Sequence, residues 1–95
     1  MLLALLAETI GTALFFIIIL SSGKPIEIAI GLLAMMYAFG KVSGGHFNST
    51  ISIMSCIKGD MPIKKCIAYI CAQLIGMIIA LLWYKYGRNY KHIVQ

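Results

Sequence analysis

The sequence predicts an all-α membrane protein of three transmembrane helices and one re-entrant half-helix, forming a single membrane domain over residues 1–95. Three observations point there. Hydrophobic residues make up 61% of the chain and charged ones 12%, far from the balance of a soluble domain. The charges avoid three stretches, 1–20 apart from Glu8, 28–40, and 66–84. Between the second and third lies an apolar run over 49–57; at about 1.5 Å per residue it reaches only halfway through a hydrocarbon core of roughly 30 Å, so it cannot span.

The first span is expected over about residues 2–21. It has no basic leader, its apolar run is long and it carries a carboxylate near its middle, so it reads as a retained helix rather than a cleaved signal peptide. The second span is expected over about 25–41, opened by Pro25, whose missing N–H costs nothing in a first helical turn. Its uncharged core reaches only about 20 Å, so Pro25 to Glu27 and a snorkelling Lys41 must extend it. Over about 43–57 a Gly/His/Asn segment leads into the short run. Irregular backbone survives at membrane depth only when buried in protein or lining a watery cavity, which favours a re-entrant loop and half-helix. The alternative is a loop with an amphipathic helix lying on the membrane surface. A third span, opened by Pro62, is expected over about 62–84, followed by a basic tail at 85–95.

Small residues recur every fourth position on the third span at Ala68, Ala72, Gly76 and Ala80, a stripe that lets another helix approach closely. Ala7 and Gly11, and Ala34 and Ala38, repeat the pattern on the other spans. The net charge of +5 comes from Lys24, Lys41, Lys58, Lys64, Lys65, Lys85, Arg88 and Lys91, scattered at span ends. They read as interfacial anchors alongside Trp83, Tyr84, Tyr86 and Tyr90, with the lipid bilayer and not nucleic acid as partner. Cys56, Cys66 and Cys71 have neither Cys-x-x-Cys nor metal-ligand spacing and read as small apolar packers. No nucleophile–base set, phosphate loop or metal cluster is present in the pattern, so neither an enzyme nor a cofactor is expected.

Five polar residues stand out. Asn48 precedes the half-helix, where unpaired N–H groups and the positive dipole end collect; it is either a plain cap or also a hydrogen-bond donor to a passing oxygen. The sequon Asn48-Ser49-Thr50 would be out of reach at membrane depth. Glu8, the sole carboxylate within a span, needs an interior partner, for which His46 is the candidate, with Thr12 one turn along the same face. A lone acid without a second titratable relay reads as a strut rather than a proton carrier. Gln73, alone in the third span, needs partners that the re-entrant backbone can provide.

Three runs, Ala7-Glu8-Thr9-Ile10-Gly11-Thr12, the segment from Gly40 to Ser52 containing Ser43-Gly44-Gly45-His46-Phe47-Asn48, and Tyr69-Ile70-Cys71-Ala72-Gln73-Leu74-Ile75-Gly76, resemble landmarks of the aquaporin and glycerol-channel (major intrinsic protein) family, in that family's order. The resemblance covers roughly residues 7–84 and points to the amino-terminal half of such a channel. It implies that the carbonyls of Gly44, Gly45 and His46 form an acceptor ladder along a pore, with Asn48 at its midpoint. It also implies that Glu8, Thr12 and Gln73 brace the loop and that Ile28 occupies a constriction that is aromatic in many members. An aliphatic Ile28 leans towards small uncharged solutes such as glycerol rather than strict water selectivity. Ser49 and Thr50 replace the family's Pro-Ala, and Lys41 stands where many members have His.

The resemblance also implies a second, inverted half that supplies another Asn signature and a selectivity Arg, neither of which is in this sequence. A partner half or a homo-oligomer is therefore expected. Inverted repeats place the site between the halves, and two copies in opposite orientations would mimic that. With the N-terminus inside, Lys41, Lys58, Lys64 and Lys65 face Lys24, Lys85, Arg88 and Lys91 across the membrane, a balance that sets no orientation. The other readings are a non-conducting piece of a longer channel and a small subunit that docks on a full-length one.

Overall fold

The computed structural model describes residues 1–87. Arg88, Tyr90, Lys91 and His92 lie outside the described residues. Four α-helices follow one another: α1 (Leu2–Ser21), α2 (Pro25–Ser43), α3 (Ser49–Lys58) and α4 (Ile63–Leu82), with α4 passing into a π-helical turn at Trp83–Gly87. Three of them are long and apolar enough to cross a membrane. The fold is all-α, and α3, at 10 residues, covers about 15 Å.

Each boundary has a local cause. Pro25 fills the first turn of α2. That helix runs to Ser43, two residues beyond the sequence expectation. Ser43 stays helical while its hydroxyl reaches Phe39 O and Glu8, and Gly44 then takes the left-handed conformation, φ 90°, that ends the helix. At the end of α3, Gly59 (φ 96°) closes a Schellman-type cap in which Gly59 N–H donates to Cys56 O and Asp60 N–H to Ser55 O. Pro62 is the N-cap of α4 rather than its first residue.

The central element is α1, packed against α4 on one side and α2 on the other, while α3 packs on α4. The α1–α4 contact is close because Gly76 has no side chain: a β-carbon there would lie 2.6 Å from Thr9 O and 2.9 Å from Thr12 Cβ. On α4, Ala72, Gly76 and Ala80 are buried and Ala68 is half-buried. Ala7 and Gly11 are buried on the facing side of α1. The second span differs from its sequence pattern. Ala34 and Ala38 are exposed, because α2 rests on α1 through Gly31, where a β-carbon would meet Ile18 Cδ1 at 2.7 Å. Gly31 and Ser43 are the buried residues of α2, and its remaining apolar surface faces outward.

Replacing Gly76 with Leu is therefore expected to lower the unfolding free energy by about 1–3 kcal/mol, the usual cost of overpacking. Ala34→Leu, on the exposed face of α2, should change it by less than about 0.5 kcal/mol. Detergent-induced unfolding in micelles, followed by circular dichroism, measures both.

Candidate functional site

Between α2 and α3 the chain runs through residues 44–48 without regular structure. Three of its residues adopt positive φ: Gly44 at 90°, Gly45 at 64° and Phe47 at 51°. The glycines do so without steric cost, and Gly45 also sits where a β-carbon would be 2.6 Å from Met36 Sδ. Phe47 has no such freedom, and its backbone costs about 1–2 kcal/mol. Burial offsets this. The ring is 1% exposed, packs edge-on to Phe39 with centroids 6.5 Å apart, and lies where any β-carbon on Gly11 would overlap it.

The loop hangs on one side chain. Glu8, fully buried on α1, accepts four hydrogen bonds. Its Oε2 receives Ser43 Oγ–H at 2.5 Å and His46 N–H at 3.1 Å, and its Oε1 receives Phe47 N–H at 2.8 Å and Gln73 Nε2–H at 2.9 Å. Four donors fill the acceptor capacity of an ionised carboxyl group, which lets a charge sit away from water. The partner of Glu8 is thus the backbone of His46, not its imidazole. That ring instead meets Ser52 Oγ through Nδ1 at 2.9 Å and packs against Tyr69 with centroids 5.1 Å apart.

Gln73 joins three elements. Its Nε2 donates to Glu8 on α1 and, at 2.9 Å, to Ser52 Oγ on α3, while its Oε1 accepts from Ser49 Oγ at 3.1 Å. Ser52 Oγ thus accepts from Gln73 and also bonds His46 Nδ1, the imidazole tautomer setting which of the two donates. Tyr69, one turn before Gln73, donates its hydroxyl to Ser43 O at 2.7 Å. Ser43, Phe47, Ser52 and Tyr69 stand inside the runs that carry the family resemblance but have no individual role there. The signals for two of them were there: Tyr69 precedes Gln73, and Ser52 follows Asn48, by one helical turn on the same face.

Asn48 is the N-cap of α3. Its Oδ1 accepts from Thr50 N–H at 2.8 Å, and its backbone oxygen from Ile51 and Ser52 N–H. Its side-chain NH₂ makes no hydrogen bond among the described residues, and the residue is exposed. Thr12 departs from the bracing role expected of it, since its buried Oγ1 has no hydrogen-bond partner among the described residues. It faces a cavity of about 200 Å³ shared with Asn48, Ser49 and Gln73. Thr12 lies ten residues along α1 from Leu2, about 15 Å and halfway along that helix, so Asn48 and the N-terminus of α3 sit beside the middle of α1.

The carbonyls of Gly44, Gly45, His46 and Phe47 receive no hydrogen bond among the described residues. The local arrangement is a run of acceptors leading to an amide donor at the positive end of a short helix, which can exchange hydrogen bonds with small neutral molecules and repels cations. Ile28 does not join this cluster. It is half-buried on the first turn of α2, fifteen residues and about 23 Å along the helix from Ser43.

Comparison with known proteins adds a family relation. The family described as "Major intrinsic protein" matches residues 1–92. The chain is 40% identical over 58 residues to a protein named Aquaporin Z of Brucella melitensis, an alignment covering 61% of this chain and 25% of that protein. It is 31% identical over 93 residues to a protein named Aquaporin-B of Dictyostelium discoideum, covering 83% of this chain and 32% of that protein. The chain thus spans a third or less of the length of these relatives. No solved structure matches it.

Glu8→Gln turns one acceptor oxygen into a donor and leaves two of the four incoming N–H and O–H groups without a partner. The expected loss is about 3 kcal/mol of stability, from buried donors stripped of a charged acceptor. Denaturant unfolding of the micellar protein and faster amide exchange at His46 and Phe47 check this.

Proposed function

The chain belongs to the major intrinsic protein family, and from that premise we propose that it is one half of a channel for passive movement of water or small uncharged solutes such as glycerol across a membrane. It is a multi-pass integral membrane protein. The observation that carries the proposal is the row of four carbonyls at 44–47 with no donor among the described residues. Backbone acceptors at membrane depth must be satisfied, and a file of water or hydroxyl groups does so.

Asn48 completes the path. Its free NH₂ offers a donor after the acceptors, and the α3 N-terminus behind it disfavours cations while leaving neutral molecules unaffected. Ile28, at the far end of α2, would form an aliphatic constriction, which favours solutes with carbon over strict selection for water.

The pathway is lined from one side only. Asn48 and Thr50 are exposed, and the cavity beside them holds the unpartnered Thr12 hydroxyl, which a second set of helices would cover and satisfy. A complementary half is therefore part of the proposal, either a separate segment or a second copy in the opposite orientation.

Liposomes containing the purified chain should swell faster than empty ones in a stopped-flow osmotic assay with water, then with glycerol. Asn48→Asp, which replaces the donor with an acceptor, should lower the added permeability roughly fivefold, the worth of about one hydrogen bond. A folded, inserted chain without permeability would instead favour a non-conducting piece of a longer channel or a docking subunit, for which the outward apolar face of α2 is a candidate surface. Labelling of the C-terminal tail from both sides of the liposome should find both orientations, and a single orientation would exclude the antiparallel pair.

A further inference from the structure

Away from the polar cluster, two of the three cysteines come together in a way their spacing does not announce. Cys56 is half-buried in the last turn of α3, and Cys66 is 5% exposed in the first turn of α4. Cys56 packs against the buried cluster that holds Cys66. Both belong to a small cluster with Met61 and Tyr69 at the end of the bundle where α1 begins, covered by Ala4 and Leu5. The chain between them turns through left-handed Gly59 and the exposed Lys58–Asp60 ion pair, 3.0 Å long, and then Pro62. These charged residues place the thiols at the aqueous end of the helices, in reach of dissolved oxidants. Cys71, by contrast, is exposed on the apolar part of α4.

We propose that Cys56 and Cys66 are an oxidation site, a dithiol that closes reversibly into a disulfide joining the C-terminal end of α3 to α4. The oxidant is a hydroperoxide. Cys56, the more accessible, attacks the peroxide oxygen, and with hydrogen peroxide this step gives a sulfenic acid and water. The Cys66 sulfur then displaces the sulfenic oxygen, forming the S–S bond and releasing a second water. In total two thiols are oxidised by two electrons and one peroxide is reduced to two waters. A dithiol reductant reverses the bond by exchange.

The bond would act on a helix that is tied unevenly. The N-terminal end of α3 is fixed by Gln73, which accepts from Ser49 Oγ–H and donates to Ser52 Oγ, whereas among the described residues its C-terminal end is held by apolar contact and its backbone cap. A disulfide fixes the second end and suppresses fraying of the last turn.

The full-length chain, reduced and purified in detergent, is treated with a small excess of hydrogen peroxide, alkylated, digested and read by mass spectrometry without reduction. The expected result is a cross-linked peptide pair containing Cys56 and Cys66, short of two hydrogens, with Cys71 alkylated. Dithiothreitol should remove it, and Cys56→Ser should prevent it. Amide exchange in the last turn of α3 should slow by about tenfold in the oxidised form, as local opening is restrained. Alkylation of Cys66 in full while Cys56 is oxidised to sulfinic acid, or cross-links running through Cys71 between two chains, would overturn the proposal.

Discussion

One buried carboxyl group organises this chain. Glu8 lies in a span where an uncompensated charge is costly, and four donors from three segments meet it: Ser43 at the end of α2, the backbone of His46 and Phe47, and Gln73 of α4. The dependence runs both ways. Without these donors Glu8 has no place in α1, and without Glu8 the N–H groups of His46 and Phe47 have no partner at membrane depth. Turning those N–H groups towards α1 requires the positive-φ backbone at Gly44, Gly45 and Phe47, and leaves the carbonyls of the same segment without a donor among the described residues. The acceptor row and the bracing are two sides of one backbone path.

Small residues make that path geometrically possible. Gly11 leaves room for the Phe47 ring, and Gly76 lets α4 approach α1 closely enough for Gln73 to reach both Glu8 and α3. The polar cluster and the helix packing are therefore one construction. Directional hydrogen bonds choose the arrangement and the apolar contacts hold the helices at the required separation.

The spans, the too-short helix and the need of Glu8 and Gln73 for partners were legible in the sequence because each rests on length or on the cost of a polar group in hydrocarbon. The pairing inside the cluster was not. His46 is next to Glu8, but by its backbone, while its ring turns to Ser52; Thr12 shares the helical face of Glu8 yet makes no hydrogen bond among the described residues. Periodicity fixes which face a residue occupies, not which of several nearby donors its side chain meets. The small-residue pattern of Ala34 and Ala38 was equally ambiguous, because the same spacing serves an inner or an outer face, and in α2 it faces out. Cys56 and Cys66 meet through the geometry of a turn that residue spacing alone does not specify.

The span in sequence between Glu8 and its last donor also bears on biogenesis. Gln73 lies 65 residues downstream, and Ser43, the first donor, 35. A chain growing from its N-terminus at about 5–20 residues per second leaves Glu8 without Gln73 for several seconds after α1 has been made. Over that interval α1 must enter the bilayer bearing an acid that nothing yet neutralises, and its own apolarity, the highest of the three spans, is what makes partitioning favourable. The apolarity of the first helix thus serves the order of synthesis as well as the folded chain: residues such as Leu2, Leu3 and Leu6, exposed in the folded chain, favour the entry of α1 into the membrane before its partners exist.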